Sequence, residues 1–290
     1  MASESFPSER SARASVGSVE TSAPVCVFAG PGEGITMSDV AFIPGRFAGR
    51  TVIVTGAGSG IGKATAVRLG LEGARVVISD LRPERLEEVA AEHPALELVV
   101  AAGDISQEET VQRVVAAAGG RVDGLVNNAG IMDGFLPPAE VDDETWERVF
   151  AVNVTALMRT TRAVLPLMLG AGGGAIVNVT SEASFRSSAS GCTYTASKHA
   201  ANGFTKSTAM FYKGQGVRAN VVAPGAVATN IEAPWRSQYA QGVLGPIMGV
   251  TVTGAATSEQ VAATITWLLS DDASNVNGAI VACDGGWSVI

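Results

Sequence analysis

Two polar side chains late in the chain have the types and spacing that proton transfer requires. Tyr194 and Lys198 are four residues apart, so they share one face if this segment is helical. A free tyrosine phenol titrates at about 10, and a nearby ammonium group lowers that pKa by favouring the phenolate. A phenol with a lowered pKa exchanges protons efficiently near neutral pH. The pair therefore predicts a general acid/base, against the alternative of an ordinary polar loop.

A second segment with chemical meaning is the glycine-rich "TGAGSGIG" of Thr55–Gly62, which follows the apolar run "TVIVT". Between a strand and a helix, such glycines form a phosphate-binding loop. Gly56 permits a tight turn, Gly60 lets the backbone approach a pyrophosphate, and Gly62 lets the helix pack closely. The first amides of the helix then face the negative charge. The segment predicts a dinucleotide site rather than a glycine-rich turn without a ligand.

The kind of dinucleotide is indicated by Asp80, which ends the second apolar run 18 residues after Gly62. A carboxylate there accepts both ribose hydroxyls of NAD and repels the 2′-phosphate of NADP. Ser59 is uncharged where an arginine could hold that phosphate. Arg82 is the counter-argument, but Pro83 constrains its backbone at the entry to a helix. We therefore expect NAD, with NADP as the alternative.

These segments are positioned by short apolar runs that alternate with amphipathic segments from residue 50 onward. Such an alternation forms a parallel sheet with helices on both faces, and ligands bind at the carboxyl ends of its strands. We predict an α/β fold: a single doubly wound Rossmann-type domain with a parallel sheet of about seven strands. The strand candidates are 51–55, 75–80, 96–102, 124–128, 175–179, 217–223 and the final run 278–286. The helices predicted between them include a long one over 144–169 and one over 195–213.

The composition argues against several other functions. A net charge of −8 and a pI near 4.9 disfavour a nucleic-acid surface, which needs clustered Lys and Arg. The apolar runs are shorter than the roughly 18 residues that a membrane span needs. The three cysteines and two histidines lack the spacing of a metal site. We expect a reduced, cytoplasmic protein with no metal, no membrane partner and no nucleic-acid partner.

The first 45 residues differ in composition from the rest of the chain. They are rich in serine and poor in large apolar side chains, so they cannot offset their own ordering entropy. They also lack the apolar core of a secretion signal. We expect a flexible, disordered extension over 1–45, to which no role is assigned, followed by one domain over 46–290.

Seven short motifs follow one another at characteristic intervals after residue 47. They are "TGAGSGIG" (55–62), "NNAG" (127–130), Asn153, Ser181, "YTASK" (194–198), "PGAVAT" (224–229) and "DGGW" (284–287). With these motifs the chain resembles the short-chain dehydrogenase/reductase family along nearly all of 47–290. The resemblance implies a Rossmann fold and hydride transfer between a nicotinamide and a carbonyl or alcohol carbon.

The resemblance also implies a catalytic set. In it Tyr194 is the general acid/base, and Ser181, which stands 13 residues earlier, polarises and positions the substrate oxygen. Lys198 also holds the nicotinamide ribose. Asn153 is similar to an asparagine that anchors a water leading from the lysine to solvent. The role of Glu182, which follows Ser181, is left open between a solvent-facing residue and a contact with a polar substrate group.

Further cofactor contacts are implied by position in the same family. The loop after the third strand holds the adenine, the loop after the fourth lines the adenosine ribose, and "PGAVAT" holds the carboxamide. The implied residues are Asp104 and Ile105, then Asn128, Ala129 and Gly130, then Val227 and Thr229, beside Gly56, Ser59, Gly60, Ile61, Gly62, Asp80, Tyr194 and Lys198.

The substrate is less clearly indicated than the reaction. Residues 230–254 correspond to the family's mobile lid, and their large apolar side chains suit either an apolar substrate or docking of the lid on the body. These side chains are Ile231, Trp235, Leu244, Ile247 and Met248. We expect NAD-dependent interconversion of a secondary alcohol and a ketone on a moderately apolar small molecule, by a homotetramer or, as second choice, a dimer.

Two other functions rank below this one. Reduction of 3-oxoacyl groups on an acyl carrier protein needs a basic docking patch, and Lys213 is the only basic residue in the two segments (170–175 and 213–216) near the relevant helix ends. A non-catalytic, cofactor-binding member of the fold would be expected to lose the tyrosine or the lysine, and this chain keeps both.

Overall fold

The central sheet is built from seven parallel strands, each apolar through most of its length. They are β1 (Thr51–Thr55), β2 (Arg75–Ser79), β3 (Leu98–Val100), β4 (Gly124–Asn127), β5 (Gly174–Val179), β6 (Val217–Pro224) and β7 (Ile280–Cys283). Their spatial order is β3-β2-β1-β4-β5-β6-β7. The order reverses between β1 and β4, and a crevice at the carboxyl ends of these strands is where such sheets bind ligands. The predicted fold class is confirmed.

Helices cover both faces of the sheet. They are α1 (Gly60–Leu71), α2 (Pro83–Glu92), α3 (Glu108–Ala117), α4 (Asp143–Phe150), α5 (Leu157–Gly170), α6 (Cys192–Tyr212), α7 (Gln238–Thr251) and α8 (Ser258–Leu269). Alternate residues of β1 show how the two faces are filled, because Val52 and Val54 pack into one core and Ile53 into the other. Each such buried side chain contributes about 1.5–3 kcal/mol. The strands are apolar throughout because both of their faces are covered.

Most elements differ from their predicted bounds, and three of the differences have a visible cause or consequence. The strand predicted over 96–102 is limited to β3, an edge strand, because the Leu96 amide closes a turn onto the His93 carbonyl. The long helix predicted over 144–169 is interrupted by a π-helical turn, Ala151–Ala156, between α4 and α5. The helix predicted from 195 begins three residues earlier, at Cys192, so that Tyr194 lies on its first turn.

The computed structural model describes residues 41–229, 231, 233–252 and 254–289. Most of the predicted extension, residues 1–40, therefore lies outside the described residues. At the first described residue, the Ala41 carbonyl accepts a hydrogen bond from the Arg68 guanidinium at 2.7 Å. None of the helices in the described ranges has the length and hydropathy to cross a membrane.

Candidate active site

A cavity of about 670 Å³ opens at the carboxyl ends of the strands. It is large enough for a drug-sized ligand or a cofactor. It is lined by all the predicted site residues except Gly62 and Asn153. Those that line it are Gly56, Ser59, Gly60, Ile61, Asp80, Asp104, Ile105, Asn128, Ala129, Gly130, Ser181, Tyr194, Lys198, Val227 and Thr229. The structure thus brings together motifs that are spread over more than half of the chain.

The glycine-rich loop after β1 has the geometry of an anion site. Gly56 and Gly60 adopt left-handed φ angles of 65° and 53°, which favour glycine. A Cβ on Gly62 would lie 2.0 Å from the Gly56 carbonyl oxygen, so α1 can pack this closely only without a side chain there. The Ser59 side chain does not cap α1, and the first turn carries no acid. The first amides of α1 are therefore free to bind phosphate.

Side-chain hydrogen bonds join the start of this loop to the segment that follows the neighbouring strand β4. The Asn128 side-chain amide donates to the carbonyls of Thr55 and Gly56 at 3.0 and 3.1 Å. The Thr55 hydroxyl in turn accepts from the amides of Asn128 and Ala129 at 3.0 and 3.1 Å. The Asn128 side chain is thus used to hold the loop, although the residue lines the cavity. Thr55 was not among the predicted residues, because its role depends on pairing between β1 and β4.

Asp80 is fixed at the end of β2 beside the glycine loop. One carboxylate oxygen accepts from the Gly58 amide at 3.0 Å, and the other accepts from the Arg82 amide at 3.1 Å. Arg82 and Arg85 also line the cavity. Arg85 is a residue that the sequence interpretation missed. The site therefore presents both a carboxylate suited to ribose hydroxyls and two guanidinium groups close to it in the chain.

Tyr194 and Lys198 lie side by side on the first two turns of α6, as their spacing predicts. The Lys198 Nζ is 5.3 Å from the centroid of the Tyr194 ring, and both residues are buried. Nζ donates to the Val179 carbonyl at the end of β5, at 3.1 Å. Ser181 follows the same strand, and its hydroxyl forms a hydrogen bond with the Tyr194 side chain. Three separate sequence positions thus meet around one phenol.

Burial dominates the electrostatics of this pair. Burial raises the pKa of Tyr194 to about 12. The hydrogen bond from Ser181 lowers that pKa, whereas the Asp133 carboxylate raises it. Burial also lowers the pKa of Lys198 to about 8. The expectation that Lys198 lowers the tyrosine pKa is not met in the chain by itself. Removing the phenol from water favours its neutral form, and this is the largest effect on the Tyr194 pKa.

Asn153 lies behind the lysine on the π-helical turn. Its side-chain oxygen accepts from the Ile131 amide at 2.9 Å, and its nitrogen donates to the Ile131 carbonyl at 3.0 Å and the Ser197 hydroxyl at 3.1 Å. A Cβ on Gly130 would lie 3.3 Å from the Lys198 Nζ and 3.4 Å from the Asn153 oxygen. The turn thus places Asn153 next to Lys198, and the Asn153 side chain is bonded to the backbone of Ile131 after β4. Single π turns of this kind are frequent at functional sites.

Glu182 takes neither of the two roles that were left open for it. Its side chain is fully buried, and it is not among the residues that line the cavity. It pairs with Arg186, whose guanidinium also donates to the Trp287 carbonyl. Burial raises the pKa of Glu182, and Arg186 opposes that rise. Because Trp287 does line the cavity, the pair supports the cavity wall from behind.

The apolar side chains of the segment predicted to be the lid are divided between the cavity and the body of the domain. Ile231 and Met248 line the cavity. The Trp235 ring instead stacks on Phe135 of the body, with centroids 4.1 Å apart. Ile247 is 41% exposed and takes neither role. Lining of the cavity and docking on the body therefore belong to different residues.

Comparison with known proteins identifies the family. The family model for short chain dehydrogenases matches residues 50–240. The chain is 38% identical over 250 residues to 3beta-hydroxysteroid dehydrogenase 2 of Eggerthella lenta, covering 83% of this chain and 95% of that protein. It is 39% identical over 252 residues to the short chain dehydrogenase adrF of Penicillium roqueforti, covering 82% and 97%. The crystal structure of levodione reductase superposes with a TM-score of 0.77 at 33% identity, covering 84% of this chain and 99% of that one. The chain therefore belongs to the short-chain dehydrogenase/reductase family.

Proposed function

We propose that the protein is an NAD-dependent oxidoreductase that interconverts a secondary alcohol and a ketone. The observation that carries the proposal is the meeting of Ser181, Tyr194 and Lys198 in a cavity that continues to the glycine-rich loop. Family membership supports oxidoreductase activity. The free amides of α1 and the Asp80 carboxylate fit a dinucleotide at the other end of the cavity.

Each residue of the set has a distinct task in this reaction. In the oxidation direction the Tyr194 phenolate accepts the hydroxyl proton of the substrate and becomes the neutral phenol. In the reduction direction the neutral phenol gives its proton to the carbonyl oxygen. Ser181 donates a hydrogen bond to that oxygen and fixes its position. When bound, NAD(P) supplies the site that accepts or donates hydride and, when oxidised, a positive charge. Lys198 would hold the ribose hydroxyls of the bound cofactor. Its Nζ lies 5.3 Å from the centroid of the phenol ring, where an ammonium favours proton release.

The choice of NAD over NADP rests on Asp80. Its carboxylate is held by the Gly58 and Arg82 amides, so it cannot swing away from a 2′-phosphate without losing those bonds. A fixed negative charge repels that phosphate and accepts ribose hydroxyls. Arg82 and Arg85 favour the opposite choice, which makes NADP the alternative to be tested.

The substrate that fits best is a moderately apolar alcohol or ketone. The cavity wall near the catalytic tyrosine is formed by Met132, Met248, Val252 and Trp287, which pack in one cluster with Tyr194. One relative is a 3β-hydroxysteroid dehydrogenase, and a 3β-hydroxysteroid is a secondary alcohol on an apolar ring system. We infer that this chain takes an alcohol or ketone carried on an apolar ring.

The direct test is a screen of cyclic and acyclic secondary alcohols with NAD⁺ and NADP⁺, and of the matching ketones with the reduced cofactors. Absorbance of the reduced nicotinamide reports turnover, and isothermal titration calorimetry reports cofactor binding independently. Turnover with NAD and an apolar ring alcohol supports the proposal. Tight NAD binding without turnover of any substrate supports the non-catalytic alternative instead. Tighter binding of NADP than of NAD overturns the cofactor choice.

We also expect a homotetramer, with a dimer as second choice. In the short-chain dehydrogenase/reductase family, the helices that correspond to α4, α5 and α6 pair between subunits. Here α6 exposes Met210 and Phe211 and α4 exposes Trp146, and such side chains favour association. Analytical ultracentrifugation distinguishes the two assemblies and the monomer.

A further inference from the structure

A buried carboxylate outside the seven motifs contacts the backbone of the catalytic tyrosine. Asp133, in the turn after β4, is 1% exposed. One of its oxygens accepts from the Tyr194 amide at 2.9 Å, and the other accepts from the Phe135 amide at 3.0 Å. Charge-assisted bonds of this kind are stronger than those between neutral groups. The turn after β4 is therefore joined to the first turn of α6 at the catalytic residue itself.

The start of α6 is built to receive this carboxylate. The residue at its N-cap is Gly191, which has no side chain to bind the free amides of the first turn. A Cβ on Gly191 would lie 2.5 Å from both oxygens of Asp133 and 2.6 Å from the Leu136 amide nitrogen. The Cys192 amide donates to the Leu136 carbonyl at 3.0 Å. Asp133 thus takes the place of the capping side chain, from a different part of the chain.

The same turn also holds the start of the lid. The Gly134 carbonyl accepts from the Arg236 amide at 3.0 Å, and the Phe135 ring stacks on Trp235. Phe135 has a φ of 59°, which is rare for a residue with a side chain and is held here by the bond from its amide to Asp133. Trp235 and Arg236 directly precede α7, the helix of the lid.

We propose that Asp133 is a positioning residue that holds Tyr194 in place and couples the catalytic turn of α6 to the entry of the lid. This inference rests on the proposed function for its kinetic consequences but not for its structural ones. Closure of the lid over a substrate then acts, through Trp235 and Arg236, on the same turn that fixes the Tyr194 backbone. The turn transmits the position of the lid to the acid/base through the bond from the Arg236 amide to the Gly134 carbonyl, the stack of Trp235 on Phe135, and the bond from the Tyr194 amide to Asp133.

The charge of Asp133 also acts on the phenol. The groups that face Tyr194 are Lys198 on α6, the Ser181 hydroxyl after β5, the uncharged Trp287 and Asp133 itself. Glu182, beside Ser181, is paired with Arg186. The negative charge of Asp133 raises the pKa of Tyr194, so its removal lowers that pKa.

The test is Asp133→Asn, which keeps the size of the side chain and removes its charge. Hydrogen exchange of the cofactor-free protein is the first measurement, because it does not depend on activity. The loss of a charge-assisted bond predicts about tenfold faster exchange of the Tyr194 amide, and faster exchange over 235–238 at the lid entry. In the kinetics, kcat falls, and the midpoint of the pH profile for alcohol oxidation moves to lower pH while the Kd of NAD is unchanged. Unchanged exchange at Tyr194 overturns the inference, as does a lower kcat with an unmoved midpoint.

Two further variants make the test specific. Asp123→Asn is a matched control, since Asp123 also accepts a backbone amide, that of Thr51 at 2.8 Å, but lies at the opposite end of the sheet. It should leave the Tyr194 amide and the pH profile unchanged. Trp235→Ala breaks the stack on the lid side and leaves Asp133 intact. It should speed exchange over 133–136, and unchanged exchange there contradicts the coupling even if Asp133→Asn fails to fold. Absence of turnover by the wild-type chain would contradict the proposed function. The exchange results would still test the structural role of Asp133, because they do not depend on activity.

Discussion

The two ends of the cavity are built in different ways. At the dinucleotide end, Gly56, Gly60 and Asp80 each lie within a few residues of a strand terminus, and backbone geometry places them. At the substrate end, Tyr194 and Met248 come from segments that are distant in the chain and meet through side chains. A site built from backbone is encoded locally, whereas a site built from side chains depends on the whole fold.

Lys198 stands between these two ends and provides the largest expected effect. Lys198→Met removes the ammonium beside Tyr194, and we expect kcat to fall by about 10³-fold. The same change should stabilise the fold at neutral pH. Burial lowers the pKa of Lys198 from 10.5 to about 8, so below pH 8 the folded protein carries the full cost of a buried charge, about 3 kcal/mol.

The gain in stability of Lys198→Met depends on pH, and proton binding at Lys198 sets the direction of that dependence. Between pH 8 and 10.5 the unfolded chain binds more protons at Lys198 than the folded chain, so this group makes wild-type stability rise with pH. The advantage of Lys198→Met should therefore be largest near pH 7 and shrink as the pH approaches 10. Urea denaturation at several pH values measures it. A variant that is less stable than wild type at pH 7 would show that the bond to Val179 outweighs the burial of the charge.

Asp80→Ala tests the dinucleotide end and should have an intermediate effect. It removes a charged acceptor for the ribose hydroxyls, so the Kd of NAD should rise about tenfold or more. The Kd of NADP should fall, because the repulsion of its phosphate is removed. Asp104→Ala is the matched control, since Asp104 lines the adenine region predicted for both cofactors and should weaken them equally. Equal weakening by Asp80→Ala, measured by calorimetry, would remove Asp80 as the selector.

Met248→Ala tests the substrate end and should have the smallest effect. The side chain lines the cavity, and its loss should raise the KM of an apolar substrate about three- to tenfold with kcat little changed. Ile247→Ala provides the control, because the neighbouring Ile247 does not line the cavity and is 41% exposed. Equal KM values for the two variants would mean that the lid contacts the substrate elsewhere.

The same contrast explains how far the sequence could be interpreted. The glycine-rich loop and the pairing of Tyr194 with Lys198 follow from patterns within twenty residues, and the fold class follows from the repetition of short strand and helix patterns along the chain. The bracing by Thr55, the bonds between Asn153 and Ile131 and the early start of α6 do not, because each depends on a partner that is distant in the chain. Asp133 illustrates the difference, since it carries no motif and owes its role to an amide 61 residues later.

Glu182 shows why an isolated charge near a motif is hard to interpret. From the sequence it could face solvent or substrate, and burial with Arg186 could not be inferred without the C-terminal Trp287. The pair illustrates that the walls of the substrate end are set by contacts between segments. The identity of the substrate is therefore less accessible from sequence than the identity of the reaction.

Tyr194 is the acid/base on which the proposed reaction depends, in a site whose dinucleotide end is built independently. The decisive measurement is Tyr194→Phe, with NAD affinity from calorimetry and turnover of an identified alcohol measured on the same preparation. The ring is retained and the hydroxyl is removed, so the cavity keeps its shape. We predict a Kd for NAD that changes far less than the turnover, which should fall below a few per cent of wild type. Turnover above that level would contradict the assignment of Tyr194 as the proton donor and acceptor.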